Sequence, residues 1–205
     1  MNVTGRLLAA AIIVLSLAVP AWAGAPTDQL RQYTDQVLKI LDDPSGTDKK
    51  EQVRKVAVQI FDVGETARRA LGLHWQTRTP AEREEFTQLF ADLLERTYIS
   101  KIDLYAGEKL QYTKEIVDGD YAVVQSKVMT KRGTDLVVDA KMIKRGDQWL
   151  IYDVNIANVS LIGNYRTQFD RIIRTASYQE LVRKLKDNRA QFLREKETRP
   201  QRTSS

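Results

Sequence analysis

Apolar residues in the first half of the chain recur at helical spacing. This spacing predicts helices over about 30–41, 49–60, 65–71 and 80–98, with turn residues or glycine between them. The fourth helix has the clearest start, because Thr-Pro-Ala-Glu at 79–82 forms a capping box with proline at the first helical position. Its apolar stripe is broad and rich in aromatic side chains: Phe86, Leu89, Phe90, Leu93, Leu94 and Tyr98.

From Lys109 the period of the pattern changes from 3.6 to 2, which is typical of strands. Four strands are predicted, at about 109–117, 120–131, 134–145 and 148–156, with glycine in each of the turns between them. The connections are so short that the strands must form an antiparallel meander. One face is predicted to be continuously apolar, and on the third and fourth strands it comprises Leu136, Val138, Ala140, Met142, Leu150, Tyr152, Val154 and Ile156.

Two further helices are predicted after the sheet, one from near Ser160 and one from the capping box Ser-Tyr-Gln-Glu at 177–180. Helices, an antiparallel sheet and again helices indicate an α+β fold. Because sheets twist and curl, such a sheet packed against helices can leave a concave space that is filled by side chains or by a ligand. We predict one domain over 24–195 and a disordered polar tail over 196–205.

Residues 1–23 have the pattern of an export signal. A short basic start precedes an apolar run at 7–19, and Ala-Trp-Ala at 21–23 supplies the small residues that signal peptidase recognises. The run of about 13 residues is shorter than the roughly 20 needed to span a bilayer. We therefore expect a cleaved signal peptide and a mature chain that begins near Gly24.

Composition narrows the classes of function. The chain has no cysteine, so an exported domain cannot rely on disulfides and must be stabilised by core packing. With no cysteine and only one histidine, His74, the chain lacks the ligands for a zinc site of the usual kind. The formal net charge of +5 is spread along the chain and calls for no nucleic acid. Arg166, Arg171 and Arg174 on the helix after the sheet are candidates for contact with acidic partners, although a solvated helix face explains them as well.

The sequence carries no recognisable catalytic motif. There is no Gly-x-Ser-x-Gly elbow and no glycine-rich phosphate loop. The carboxylates beside apolar segments are scattered: Asp62, Asp103, Asp139 and Asp153. Asp153, on a predicted strand, is best explained by an ion pair, but a buried aspartate acting as a base on an apolar substrate stays open as the enzyme alternative.

Several short strings occur across residues 28–190 in an ordered series. They are Phe-Asp at 61–62, Ala-Leu-Gly at 70–72, Trp75, the capping box at 79–82 with its aromatic helix, Tyr105, Trp-Leu-Ile-Tyr-Asp-Val at 149–154, Val-Ser-Leu at 159–161, and Asn-Tyr-Arg at 164–166 followed by Gln168 and Phe169. Together they resemble the MlaC family (toluene-tolerance auxiliary components), the soluble lipid-binding part of the Mla transport system. The basic tail after Arg194 departs from the family pattern.

The resemblance implies a monomeric periplasmic carrier that holds a phospholipid by its acyl chains in an apolar pocket and catalyses no reaction. It implies no metal and no cofactor, the lipid being cargo. The implied partners are an inner-membrane ABC transporter with a ring of MCE domains and an outer-membrane lipoprotein–porin complex. A related group in the family is associated with hopanoid metabolism, so the class of lipid stays open.

Within this interpretation, periodicity selects candidate lipid-contacting residues. On the strands they are Val124, Val128, Leu136, Val138, Met142, Leu150, Tyr152 and Val154. On the helices they are Phe90, Leu94, Tyr98, Tyr105, Tyr165 and Phe169. Periodicity alone favours plain core packing for these stripes, and an adaptor with a filled core remains an alternative to the carrier.

Overall fold

The computed structural model describes residues 25–105, 107–129 and 135–198. These residues form an α+β fold in which an antiparallel, open and curved sheet packs against helices. The helices are α1 (Pro26–Asp42), α2 (Lys49–Ile60), α3 (Val63–Leu71), α4 (Pro80–Tyr98), α5 (Leu161–Thr175) and α6 (Tyr178–Thr198). The strands are β1 (Lys109–Asp118), β2 (Tyr121–Met129), β3 (Asp135–Arg145), β4 (Gln148–Ile156) and β5 (Val159–Ser160). Short 3-10 helices, Gly72–Trp75 and Ile99–Leu104, follow α3 and α4.

Some predictions fall at the edges of the described chain. The predicted signal peptide, residues 1–23, lies outside the described residues. The predicted disordered tail begins at residue 196, whereas α6 continues to Thr198, and residues 199–205 lie outside the description. No helix in the described part of the chain is both long and apolar enough to cross a membrane.

The helix starts follow from local capping. Asp62, Thr79, Ser160 and Ser177 each accept, through a side-chain oxygen, a backbone N–H from the first turn of the helix that follows. At α4 the predicted capping box is complete, because Glu82 also accepts the Thr79 N–H at 2.8 Å. The cap on α3 explains why that helix begins at Val63, two residues before the predicted start.

The sheet is the predicted antiparallel meander, in the order β1-β2-β3-β4-β5. Its fifth strand, Val159–Ser160, was not predicted, and it pairs with the end of β4. The turn between β4 and β5 contains Ala157 and Asn158, both with positive φ, as a tight two-residue hairpin requires. This hairpin delivers the chain directly to the first turn of α5.

A β-bulge corrects the predicted face of the fourth strand. The pairing of β3 with β4 shifts between Lys141 and Met142, so that Met142 lies opposite Ile151 and Ala140 opposite Val154. Leu150 pairs with Ile143 and lies on the other face of the sheet. Tyr152 also turns to that face, where its ring meets Tyr121 edge-on at 6.1 Å. The prediction that Leu150 and Tyr152 share the face of Val154 was therefore wrong, because one extra residue reverses a period of two.

The buried side chains of the described chain form two clusters. The helical cluster joins α3, α4, α5 and α6, with Phe86, Phe90 and Phe169 at its centre. The sheet cluster joins Leu30 of α1 and Ile60 of α2 to one face of the sheet: Ala122, Val124, Ala140, Met142, Trp149 and Ile151. A single domain usually has one continuous core, so the border between the two clusters is the place to look for a ligand.

Buried charge fixes α3 to one end of the sheet. Glu65 is 7% exposed and accepts hydrogen bonds from Arg68 at 2.6 Å and Arg69 at 2.7 Å. Arg145, at the end of β3, lies 3.7 Å from Glu65 and donates to Asp62 at 2.9 Å. Burial alone would raise the pKa of Glu65, but the hydrogen bonds from the two arginines outweigh burial and lower it.

Candidate functional site

One apolar sheet face is divided into two halves. In the packed half, comprising Ala122, Val124, Ala140 and Met142, every side chain is buried beneath α1 and α2. The open half begins one pair further along the strands and comprises Val128, Leu136, Val138 and Ile156. Its first three side chains are only half-buried, and Ile156 is 41% exposed. Four large aliphatic side chains therefore share a face that other described side chains cover only in part.

The helices show the same division. Phe90 and Phe169 are fully packed, with ring centroids 5.4 Å apart. Tyr165 lies at the margin of this cluster, 5.2 Å from Phe90, and Leu94 is likewise half-buried against it. Both side chains pack against the helical cluster but are only partly buried.

Two further candidate tyrosines, Tyr98 and Tyr105, flank the 3-10 helix Ile99–Leu104. Tyr98, at the end of α4, is 41% exposed and hydrogen-bonds Tyr165. Partial burial of the Tyr98 side chain, together with the interaction with Tyr165, raises the pKa of Tyr98 to about 12. Tyr105 hydrogen-bonds Asp42 at the end of α1, and its pKa is raised first by burial and then by that carboxylate. A tyrosine suits the mouth of an apolar site, because its ring is apolar and its hydroxyl takes a polar partner.

Chain connection relates the open half of the sheet to α5. Val138 pairs with Ile156 at the end of β4, and Asn155 pairs with Ser160 immediately before α5. The Asp153 carboxylate holds this junction by accepting from Ser160 Oγ at 2.7 Å and from the Ile162 N–H at 3.0 Å. The first turns of α5, which lead to Tyr165, thus leave the sheet at its open half.

The same bonds account for Asp153 as a structural residue. Its carboxylate also accepts from Lys141 Nζ at 3.1 Å, which is the cross-strand ion pair that the sequence favoured. Asp139 accepts from Gln125 at 3.0 Å. Within the described ranges, no three His, Cys, Asp or Glu side chains are grouped so that they could hold a metal ion.

The fourteen candidate residues fall into three groups. Phe90, Val124, Met142 and Phe169 are enclosed within the two clusters. Leu150 and Tyr152 lie on the opposite sheet face, where the Arg69 guanidinium stacks 3.9 Å from the centre of the Tyr152 ring. The remaining eight are half-buried or exposed, and neither cluster encloses them: Leu94, Tyr98, Tyr105, Val128, Leu136, Val138, Val154 and Tyr165.

Sequence reasoning missed a polar cleft of about 610 Å³ between the end of α3, the 3-10 helix Gly72–Trp75 and α5. Its lining includes Arg68, Arg69, Arg166 and Arg174. The arginine spacing on α5 was noticed in the sequence, but the other wall comes from a distant segment that no periodicity connects to it.

Known proteins resemble this chain in sequence and in fold. A family model described as MlaC protein matches residues 31–187. The phospholipid-binding protein from Ralstonia solanacearum, solved in complex with a phospholipid, is 26% identical with a TM-score of 0.72, over 82% of this chain and 98% of that one. The intermembrane phospholipid transport system binding protein MlaC of Haemophilus influenzae is 21% identical over 128 residues. The matched region covers 60% of this chain and 60% of the Haemophilus influenzae protein. Because the family model matches well over half of the residues, this chain belongs to the MlaC family.

Proposed function

We propose that this protein is a periplasmic phospholipid carrier. The observation that carries the proposal is the open half of the sheet face, an aliphatic surface that the described side chains cover only in part. Family membership supports it, and so does the solved Ralstonia solanacearum protein, which shares the fold and has a phospholipid bound. In this proposal the acyl chains lie between the open half and the first turns of α5.

The physical need for a carrier is large. Each methylene moved from apolar surroundings into water costs roughly 0.8 kcal/mol, so a phospholipid with about thirty chain methylenes faces a barrier on the order of 20 kcal/mol to free escape. A soluble pocket that contacts the chains throughout the crossing removes most of this barrier. Such a pocket discriminates poorly between chain lengths, because one methylene changes binding by only about 1–3 kcal/mol.

The proposed contacts are the eight candidate residues that neither cluster encloses. The aliphatic side chains of the open half, together with Leu94 and Val154, would line the acyl chains. Tyr98, Tyr105 and Tyr165 would lie nearer the headgroup, where their hydroxyls exchange one polar partner for another. No reaction is part of the proposal, since the carboxylate most suggestive of catalysis, Asp153, is engaged in holding the start of α5.

Partners follow from the transport role. A carrier in an aqueous gap must receive its lipid at one membrane and deliver it at the other. We propose the partners that the family resemblance implies: an inner-membrane ABC transporter with MCE domains and an outer-membrane lipoprotein–porin complex. Export through the N-terminal signal would place the carrier between them.

The test is native purification of the mature protein without detergent, followed by extraction and mass spectrometry of lipids. We expect phospholipid in near-stoichiometric amount. Leu136→Arg and Val138→Arg should each lose it, because a buried guanidinium in the acyl-chain region is costly. Val137→Arg is the matched control, since Val137 pairs with Lys127 on the other sheet face. A lipid-free parent protein, or two folded open-half variants that keep their lipid, would contradict the proposal.

A further inference from the structure

The polar cleft beside α5 has an excess of positive charge. Its lining includes four arginines and a single carboxylate, Asp170. Asp170 is shared, because it accepts from His74 Nε2 at 2.8 Å and from Arg174 Nε at 2.9 Å. Hydrogen bonds from His74 and then from Arg174 lower the pKa of Asp170, so it stays ionised at neutral pH. One carboxylate in the cleft cannot balance the four guanidinium groups.

Two of those arginines are held from outside the cleft. Arg68 and Arg69 are both bonded to Glu65, which lies beneath them on α3. Glu65 thus neutralises one positive charge while fixing two guanidinium groups at the cleft wall. Fixed groups lose less conformational entropy when they meet a ligand than free side chains do.

Arg166 is the remaining arginine, and it has no ion-pair partner among the described residues. Its aliphatic stem crosses Gly72, whose φ of +57° turns the chain sharply after α3. A side chain at Gly72 would come within 3.0 Å of the Arg166 stem. The glycine therefore permits both the turn and the close packing of the Arg166 stem beside the cleft.

An exposed leucine stands in the lining of the same cleft. Leu73 is 82% exposed and follows Gly72 directly. An isolated apolar side chain on a surface needs no explanation by itself. Here it lies among arginines, and arginine is enriched in protein interfaces.

We propose that this cleft docks an acidic segment of a protein partner, with carboxylates on Arg166 and Arg174 and an apolar side chain on Leu73. The excess of positive charge favours an acidic occupant by charge complementarity. The concave shape favours a segment of protein chain, because a protruding segment can enter a cleft of about 610 Å³ and a flat bilayer surface cannot. The inference rests on the proposed function, since a carrier must dock at each membrane.

Docking at the cleft leaves the proposed lipid site free. On α5, Tyr165 and Phe169 pack toward Phe90, whereas Arg166 and Asp170 line the cleft. The two sites therefore use different faces of one helix. A partner bound in the cleft would not cover the open half of the sheet.

The experiment measures fluorescence anisotropy of a labelled peptide in which glutamates flank a single leucine. We expect binding to the lipid-loaded protein that weakens by at least about tenfold in Arg166→Glu, since a repulsive charge replaces an attractive one at a docked carboxylate. Arg171→Glu is the matched control, because Arg171 lies on the same helix outside the cleft lining and the change in net charge is identical. It should retain parental affinity within about twofold, as expected for a charge outside the contact surface.

Several outcomes would overturn the proposal. They are no peptide binding by the parent protein, equal loss in Arg166→Glu and Arg171→Glu, and displacement of the peptide by millimolar inorganic phosphate. Tighter binding to phosphatidylglycerol vesicles that is lost in Arg166→Glu would assign the cleft to a membrane surface instead. Lipid content, measured by mass spectrometry in the same samples, separates the carrier proposal from the docking proposal. The Arg166→Glu variant should keep its phospholipid. A parent protein without lipid would contradict the carrier proposal and not the docking proposal.

Discussion

The two halves of one sheet face have the same chemistry but different surroundings. The packed half, with Val124 and Met142, lies beneath α1 and α2 and is fully buried. The open half, with Leu136 and Val138, continues the same face on the same strands and is only half-covered. The difference shows that an apolar pattern specifies which face turns inward. Which part of that face the protein itself covers depends on where α1 and α2 pack.

The largest effect should come from truncation in the packed half. Met142→Ala removes a fully enclosed side chain and should destabilise the protein by about 2–5 kcal/mol in urea unfolding, through lost transfer energy and the cavity left behind. Met129→Ala is the matched control, because Met129 ends the neighbouring strand with 37% of its surface exposed. Similar losses for the two variants would mean that the packed half is not a closed core.

Acid should weaken the anchor at the packed end of the sheet. The pKa of Glu65 is lowered in the folded protein, so its ionised form contributes stability above its ordinary pKa, and this contribution is lost as the pH falls through the folded value. Glu65→Gln should cost about 1–3 kcal/mol at neutral pH and flatten the fall in unfolding free energy below about pH 5. Glu84→Gln, on an exposed position of α4, is the matched control and should change the unfolding free energy at neutral pH by less than about 0.5 kcal/mol. A steep acid transition that persists in Glu65→Gln would place the responsible carboxylate elsewhere.

Two valines allow the halves to be compared with one substitution. Val124→Ala in the packed half should cost about 2 kcal/mol, the transfer energy of two carbon groups plus a small cavity. Val138→Ala in the open half should cost less than about 1 kcal/mol in delipidated protein, because its side chain is already partly exposed. After reloading with phospholipid, the loss of unfolding free energy caused by Val138→Ala should increase, and the loss caused by Val124→Ala should stay the same. Urea unfolding of the delipidated and the lipid-loaded protein measures both. An equal cost for both valines before and after loading would remove the distinction between the halves.

Local signals allowed much of this fold to be predicted. The capping box at Thr79 and Glu82, the change of period at Lys109 and the glycine turns each act within a few residues, so the meander and five of the six helices began close to where the pattern placed them. The bulge in β4, opposite Lys141 and Met142, could not be predicted, because one inserted residue leaves no mark in an apolar pattern. It nevertheless reverses Leu150 and Tyr152.

The site was harder to predict than the fold because it depends on long-range packing. Nothing near Val124 or Val138 in the sequence distinguishes them: α1 and α2, far away in the chain, cover the first and not the second. The basic cleft likewise needs Gly72 and Arg166 to meet across the fold. Periodicity placed most of the strand candidates on one face of the sheet, but it could not separate enclosed residues from half-covered ones.

The smallest effect concerns the turn that ends the open half. Ala157 has φ of +48°, a left-handed conformation that glycine adopts freely and alanine does not. Its N–H donates to the Val137 carbonyl at 3.0 Å, so the residue is held in place by β3. Ala157→Gly should relieve the strain and raise the free energy of unfolding by about 0.5–1 kcal/mol, less the entropy that glycine adds to the unfolded chain. Lipid content should not change, because the substitution alters no side chain of the open half. If Ala157→Gly instead lowers the free energy of unfolding, the entropy that glycine adds to the unfolded chain outweighs the strain in this turn.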